Sequence, residues 1–114
     1  MKITNTYNVQ IWVGLRKQYS HVVYNIYHVR EICKAFVNDK KDCVTITPTE
    51  FVYVDGNEPG VIVGFIHYPR FERTEIEIKN RALELAEILM TRLDQYRVTV
   101  TTPDYSIMLE NDQL

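Results

Sequence analysis

The sequence has little cysteine and no long apolar run. Its two cysteines, Cys33 and Cys43, are too few for a disulfide framework and lack the paired spacing of a zinc site. We therefore expect buried or semi-buried free thiols in a reducing cytosol. No apolar segment approaches the roughly 20 residues that span a bilayer, and the polar start, residues 1–5, lacks the hydrophobic stretch of a signal peptide. These absences predict a cytosolic protein without a membrane partner.

A basic excess is also missing. Lysine and arginine number 13 against 15 acidic residues, so the formal net charge is −2. Proteins that bind DNA or RNA along a track gain affinity by displacing counterions from many phosphates, which needs a positive surface. The charge therefore argues against DNA and RNA as partners, whereas a pocket for one or two phosphates needs only a few arginines.

Recognised catalytic and metal-binding signatures are missing as well. None of GxGxxG, GxxxxGK[ST], GxSxG or HExxH occurs, and His21, His28 and His67 have no metal-ligand spacing. Cys33 falls on the apolar stripe of a predicted helix, where a buried thiol without a cationic neighbour is inert. We predict from this that the chain is not an enzyme and holds neither a metal nor a cofactor.

What is present suits one globular domain. The 114 residues are 46% hydrophobic and 25% charged, which is ordinary for a folded protein and enough for a single core. Because there is no repeat, linker or low-complexity segment, we expect residues 1–114 to form one ligand-binding domain.

Periodicity predicts alternating strands and helices. Strands are expected at residues 7–15, 43–54, 61–68 and 96–101, with a short return strand at 107–109. One helix should run from the N-cap Asn25 to about residue 38, and a second, opened by a capping box at Thr74 and Glu77, over about 75–94. Pro48 within the second strand predicts an edge, a bulge or a bend. The segment DGNEPG, residues 55–60, has the composition of a turn.

This β-α-β-β-α-β order, with a C-terminal β extension, predicts an α+β fold. Two amphipathic helices must bury their apolar stripes against one face of a mostly antiparallel sheet. The other face is expected to carry some combination of Tyr7, Trp12, Phe51, Tyr53, Phe65 and Tyr68. Because a broad apolar patch is a liability on a soluble monomer, we infer that another subunit covers that face.

Six residues near chain breaks have the chemistry of a nucleotide site. Arginine offers forked donors to phosphate oxygens, an aromatic ring offers a face to a base, and an amide can read a base or ribose edge. The start of the second helix could also present free N–H groups to an anion. The candidate ligand-binding residues are Arg16, Arg70, Phe71, Asn80, Tyr96 and Arg97.

Three segments carry a family resemblance. The runs YNVQIWVGL, TPTEFVYVDGNEPGVIVGFIHYPRF and YRVTVTTPDYSIMLEN resemble the phage-encoded Thoeris anti-defence sponge proteins of the first-described type. The resemblance spans nearly the whole chain and depends on the full pattern rather than on one short motif. It implies a viral protein in the host cytoplasm that sequesters cyclic ADP-ribose immune signals, the glyco-cyclic isomers made by bacterial TIR-domain proteins, without degrading them.

The resemblance also implies site residues and an assembly. Members of that family contact the ligand through two arginines, a phenylalanine and an asparagine, at sites between protomers of a homodimer or a trimer of dimers. In this sequence those contacts fall on Arg16, Phe71, Asn80 and Arg97. Some members also bind cyclic di- or trinucleotides at a separate site, which here would lie near Gly56 and Asn57.

Two other functions stay open at this point. The aromatic sheet face could block a host defence factor, which would make the chain a protein–protein inhibitor. The strand order could instead belong to a metal- or nucleotide-sensing regulator with a ferredoxin-like fold, although fold alone establishes no function. The preferred signal isomer, the final oligomeric state and the protomer that supplies each contact are not determined by the sequence.

Overall fold

The computed structural model describes all of residues 1–114, and its helices and strands alternate as predicted. The elements are β1 (Val9–Gly14), α1 (Ile26–Lys40), β2 (Thr45–Tyr53), β3 (Gly56–Phe65), α2 (Glu75–Arg92), β4 (Arg97–Thr101) and β5 (Ser106–Glu110). The strands form one antiparallel sheet in the order β2-β3-β1-β4-β5. The predicted α+β class, with two helices on one face of this sheet, is confirmed. No helix is both long and apolar enough to cross a membrane.

Both helices begin where nearby side chains satisfy their first free N–H groups. Asn25 Oδ1 accepts from the Tyr27 N–H (2.7 Å), and His28 Nδ1 accepts from the Asn25 N–H (3.3 Å). Thr74 and Glu77 make the reciprocal pair of bonds before α2 (3.1 and 3.4 Å). A cap of this kind is worth about 1 kcal/mol. The predicted helix starts at Asn25 and Thr74 are therefore confirmed.

The core lies between the helices and one face of the sheet. Alternate residues of β1 point into it, so Val9, Ile11 and Val13 are fully buried. The apolar stripe predicted for α2 is buried against them and consists of Ile78, Ala82, Leu85, Ala86, Leu89 and Leu93. Each buried aliphatic side chain is worth about 1.5–3 kcal/mol. This shared core therefore holds both helices to the strands.

The aromatic residues divide between the two faces of the sheet. Tyr7 and Phe65 are buried in the helix-side core, so the prediction that they belong to the other face is wrong. The reason is alternation, since Phe65 is in phase with the buried Val63 of the same strand. Trp12 and Phe51 do lie on the opposite side, which we call the open face.

The open face carries Trp12 and several threonines. The Trp12 indole N–H donates to Thr101 Oγ1 (2.9 Å) across the β1–β4 pair. Thr45, Thr47 and Thr49 alternate along β2 in the same phase as Phe51. The open face therefore combines half-buried apolar residues with threonine hydroxyls, and Met108 of β5 is exposed there.

The β2–β3 hairpin is tighter than the composition of residues 55–60 predicts. The two strands pair without interruption as far as Tyr53↔Gly56, so only Val54 and Asp55 connect them. Asp55 adopts the left-handed conformation (φ 59°) that such a turn needs. The predicted long turn is thus wrong, and most of its residues belong to β3.

Pro48 lies in an edge strand, as one of the predicted alternatives required. The constant register of β2 against β3 shows that there is no bulge at Pro48. An edge strand can direct the position that lacks an N–H toward solvent, so proline interrupts no ladder bond there. The edge prediction is confirmed and the bulge prediction is wrong.

Candidate functional site

The candidate residues divide between two ends of the sheet. Three of them lie where β1 stops, namely Arg16, Tyr96 and Arg97; the other three, Arg70, Phe71 and Asn80, follow β3 at the opposite end. We call these the Arg16 end and the Phe71 end. At about 3.3 Å per residue, the six residues of β1 separate the two ends by roughly 20 Å. One chain by itself therefore does not bring the six candidates together.

Arg16 follows β1 and is held by the β2–β3 hairpin. Its guanidinium donates to Tyr53 Oη (3.3 Å) and to the Asn57 carbonyl oxygen (3.0 Å). Both acceptors are neutral, and Arg16 makes none of the ion pairs in the protein. The charge is therefore positioned but not compensated, which is the arrangement that an anionic ligand requires.

A polar pocket of about 420 Å³ opens beside this guanidinium. Its lining consists of Arg16, Gln18, Tyr19, Ser20, His21, Tyr53 and Glu58. The Tyr19 ring stacks on Tyr96, with centroids 4.9 Å apart and planes 26° from parallel. Because Tyr19 is 82% exposed, this pair offers an accessible aromatic surface on which a base can stack.

Because Gly14 has no side chain, two polar side chains, those of Gln95 and Glu58, can approach the end of β1. A Cβ at this position would lie 2.9 Å from Gln95 Oε1 and 3.1 Å from Glu58 Oε2. Gln95 is buried, and its amide donates to the carbonyl oxygens of Arg16 (2.7 Å) and Leu93 (2.9 Å). Gln95 therefore fixes the backbone from which Arg16 projects, and Glu58 adds a carboxylate beside the pocket.

Arg97, Gly56 and Asn57 lie at the same end of the sheet. Arg97 opens β4 and is exposed. Asn57 Nδ2 donates to Glu50 Oε2 (2.7 Å), while the Asn57 carbonyl accepts from Arg16. The position that the resemblance implies for cyclic oligonucleotides is therefore next to the Arg16 pocket.

At the Phe71 end, the best-positioned charges are already paired. Arg73 Nη1 lies 3.2 Å from Asp42 Oδ2 in an ion pair whose side chains are mostly shielded. The Phe71 ring is 63% exposed, and the Arg70 guanidinium lies 5.2 Å from its centroid. A smaller pocket of about 250 Å³ adjoins Phe71, and Asn80 is not among its lining residues.

Both cysteines are free, as predicted, but only Cys33 is buried, so the predicted burial of Cys43 is wrong. Burial raises the pKa of the Cys33 thiol to about 11, so it stays protonated near neutral pH. Cys43 is exposed at the Phe71 end, with Sγ 3.4 Å from Tyr68 Oη. This hydrogen bond is the main cause that raises the pKa of Tyr68, with burial second.

Sequence reasoning missed four residues of the Arg16 end: Tyr19, Tyr53, Glu58 and Gln95. No local motif marks them, because they meet only when β3 pairs with β1 and the chain returns after α2. One weak signal was available, since Glu58 precedes Pro59 and Gly60 in a segment with unusual turn composition. By itself that composition predicts a loop, whereas the structure places Glu58 in strand β3.

Comparisons with known proteins find the fold but no family. No protein-family model and no curated protein matches the chain. The solved structure of a phage SAM lyase in complex with S-methyl-5′-thioadenosine matches with a TM-score of 0.81 and 15% identity, covering 96% of this chain and 92% of that one. The apo state of a phage SAM lyase matches with a TM-score of 0.80 and 16% identity, covering 93% and 90%. The chain shares the fold of a phage enzyme.

These comparisons correct the prediction that the chain is not an enzyme. That prediction is wrong, because the solved structures that share the architecture over nearly the whole chain are those of a lyase. The absence of catalytic sequence motifs does not exclude an enzyme, and the reason is physical. A site assembled from strand ends and a hairpin, as at Arg16, leaves no contiguous signature in the sequence.

Proposed function

We propose that this chain binds a small adenine-containing ligand with phosphate groups, a cyclic ADP-ribose signal, at the Arg16 end. The observation that carries the proposal is the uncompensated Arg16 guanidinium, held by two neutral acceptors beside the exposed Tyr19–Tyr96 stack. The guanidinium would take phosphate oxygens, and a tyrosine ring would take the base. The ligand class follows from the family resemblance. An adenosine derivative bound to a phage protein of the same fold is consistent with it.

In this proposal, the Phe71 end of a second copy completes the site. The resemblance assigns ligand contacts to Arg16 and Phe71, which lie at opposite ends of β1, roughly 20 Å apart. A ligand that touches both must therefore sit between two chains. The exposed Phe71 ring, with Arg70 above it, would close over a ligand held by the partner's half of the site. A homodimer, alone or within a trimer of dimers, would form two such sites.

Calorimetry with glyco-cyclic ADP-ribose tests the proposal. We expect tight binding by the wild type, a loss of about 100-fold in Arg16→Ala, and no change in the matched control Arg30→Ala on α1. A charge-assisted hydrogen bond is worth about 1.5–3 kcal/mol, and 1.4 kcal/mol is tenfold in affinity. Mass spectrometry of the ligand after heat release would show whether it was held or converted. If folded wild-type protein does not bind the signal, the proposal fails.

Cleavage of SAM is a second candidate, favoured by Glu58 and the shared fold. SAM carries a sulfonium cation, and a carboxylate beside exposed aromatic rings suits such a charge. We expect a lyase to break the bond between the sulfonium sulfur and the amino-acid chain of SAM, which releases S-methyl-5′-thioadenosine while the substrate's own carboxylate closes on the freed carbon as homoserine lactone. Glu58→Gln should lose this activity, whereas Glu72→Gln, an exposed loop control, keeps it. Release no faster than in buffer alone would remove this candidate.

A further inference from the structure

Helices α1 and α2 leave a groove between them on the side of the sheet opposite the open face. Its volume is about 760 Å³, and it shares no lining residue with the Arg16 pocket. The helices run antiparallel, and α2 contacts both ends of α1. Tyr24, before α1, donates to Asp94, after α2; Lys40 Nζ, in the last turn of α1, lies 3.7 Å from Glu84 Oε2 of α2. The groove is therefore a fixed feature of the helix layer.

The floor and one wall of this groove are apolar. Ile32 and Phe36 of α1 lie on the floor and are almost fully buried, while Ile88 of α2 is 39% exposed. Tyr27, on the α1 side, is 60% exposed. Exposed apolar residues beside a buried floor are the arrangement into which side chains of another helix can pack.

The rim of the groove carries an excess of negative charge. Four carboxylates line it against two basic side chains: Glu31, Asp39, Glu84 and Glu87 against Lys40 and Arg92. Lys40 is occupied by Asp39 (3.9 Å) and Glu84. Glu31 on α1 and Glu87 on α2 make no ion pair. Arg92 makes no ion pair either, so two carboxylates, one on each helix, stand against one guanidinium as the unpaired charges beside the apolar floor.

We propose that this groove is a docking site for an amphipathic helix of a partner protein, with basic residues beside its apolar stripe. A helix fits because it satisfies its own backbone hydrogen bonds, whereas an extended peptide would find no strand edge between α1 and α2. Its apolar side chains pack on Ile32, Phe36 and Ile88. Its lysines or arginines pair with Glu31 and Glu87, which gives the complex charge specificity.

Fluorescence anisotropy with two synthetic helices tests this docking site. Both peptides are about five turns long and share one leucine stripe, but one carries lysines and the other glutamates on its flanks. We expect the lysine peptide to bind at least about tenfold more tightly than the glutamate peptide. The double variant Glu31→Lys/Glu87→Lys should reverse this preference, whereas Asp112→Lys, an exposed control near the C-terminus, should not change it.

Other outcomes overturn the proposal. It fails if the two peptides bind equally, if neither binds, or if Ile88→Asp, folded by circular dichroism, binds the lysine peptide as well as the wild type. It also fails if Ile88→Asp dissolves a dimer of the protein alone, because a second copy would then occupy the groove. Arg16→Ala should leave peptide binding unchanged, so this result is separable from the proposed ligand site.

Discussion

The two ends of the sheet contain similar residues in different states. Each end places an arginine close to an aromatic ring, Arg16 at Tyr53 and Arg70 at Phe71. At the Arg16 end, the guanidinium is held by neutral oxygen atoms beside an open pocket. At the Phe71 end, the shielded arginine is Arg73, and it is bound to Asp42 and to the Lys41 carbonyl oxygen. The two ends therefore differ in how their best-held arginine is bound, by neutral oxygen atoms at Arg16 and by a carboxylate at Arg73.

Subunit exchange between two variants is the sharpest test of whether the Arg16 end of one protomer and the Phe71 end of its partner form one site. Arg16→Ala and Phe71→Ala should each lower ligand affinity by about 100-fold. If equal amounts are mixed and allowed to exchange, half of the dimers are mixed, and each has one site with both residues intact. Calorimetry of the mixture should then recover about a quarter of the wild-type sites.

Two results would break this link between the ends. Phe71→Ala with wild-type affinity would place the whole site at the Arg16 end. Loss in both variants without recovery on mixing would mean that the two residues do not act on the same ligand across an interface.

Substitution of two glycines in β3 tests how tightly each end of the sheet is packed. A Cβ at Gly60, toward the Arg16 end, would meet the Phe51 ring and, at 2.9 Å, the Val13 carbonyl oxygen. At Gly64, toward the Phe71 end, it would meet only Thr45 Oγ1 at 2.6 Å, and that hydroxyl can rotate away. Gly60→Ala should lower the free energy of unfolding by about 2 kcal/mol, and Gly64→Ala by less than about 1 kcal/mol. Urea unfolding followed by Trp12 fluorescence measures both; equal losses would contradict the comparison.

Gln95 should matter to both stability and binding at the Arg16 end. Gln95→Leu removes the donor to the buried carbonyl oxygens of Arg16 and Leu93, which should lower the free energy of unfolding by about 1–2 kcal/mol. Because the Arg16 backbone is then less fixed, ligand affinity should also fall several-fold. Gln10→Leu, at an exposed position of β1, serves as the control in the same urea and calorimetry experiments. Unchanged affinity in Gln95→Leu would show that Gln95 does not position Arg16.

The smallest expected effect concerns the thiols. The folded-state pKa of Cys33 is about 11 against an ordinary 9.0, so the unfolded chain loses this proton first. Its stabilising contribution is therefore complete below pH 9 and is lost as the pH rises toward 11, by about 1 kcal/mol at pH 10. Urea unfolding at several pH values checks this: between pH 8 and pH 10, the free energy of unfolding of the wild type should fall by about 1 kcal/mol more than that of Cys33→Ala. At pH 8, iodoacetamide should modify Cys43 at the Phe71 end but reach Cys33 only after unfolding.

The helices could be predicted closely because their signals are local. Asn25 and the Thr74–Glu77 pair cap their own helices, and the α2 stripe follows from residues three and four apart. The hairpin could not be predicted as well. Residues 56–60 have turn composition, but pairing with β2 on one side and β1 on the other satisfies their backbone and makes them a strand.

The sequence suggests the residue types of the candidate site but not their arrangement. Arg16, Tyr96 and Arg97 were selected for residue type and do lie at one end, whereas Phe71 and Asn80 do not join them within the chain. Tyr19, which lines the pocket, carries no signal of its own, and the turn composition around Glu58 is only a weak one. Their proximity to Arg16 depends on contacts between distant segments.

By itself, the sequence determined the order of the elements, both helix caps, the buried stripes and the α+β class, because these depend on side-chain spacing over a few residues. The tertiary structure decided where the β2–β3 turn lies, which aromatic residues enter the core, and that Tyr53 and Asn57 hold the Arg16 guanidinium. These features depend on strand register, and a register is chosen by the summed burial and hydrogen bonding of whole strands rather than by any local run.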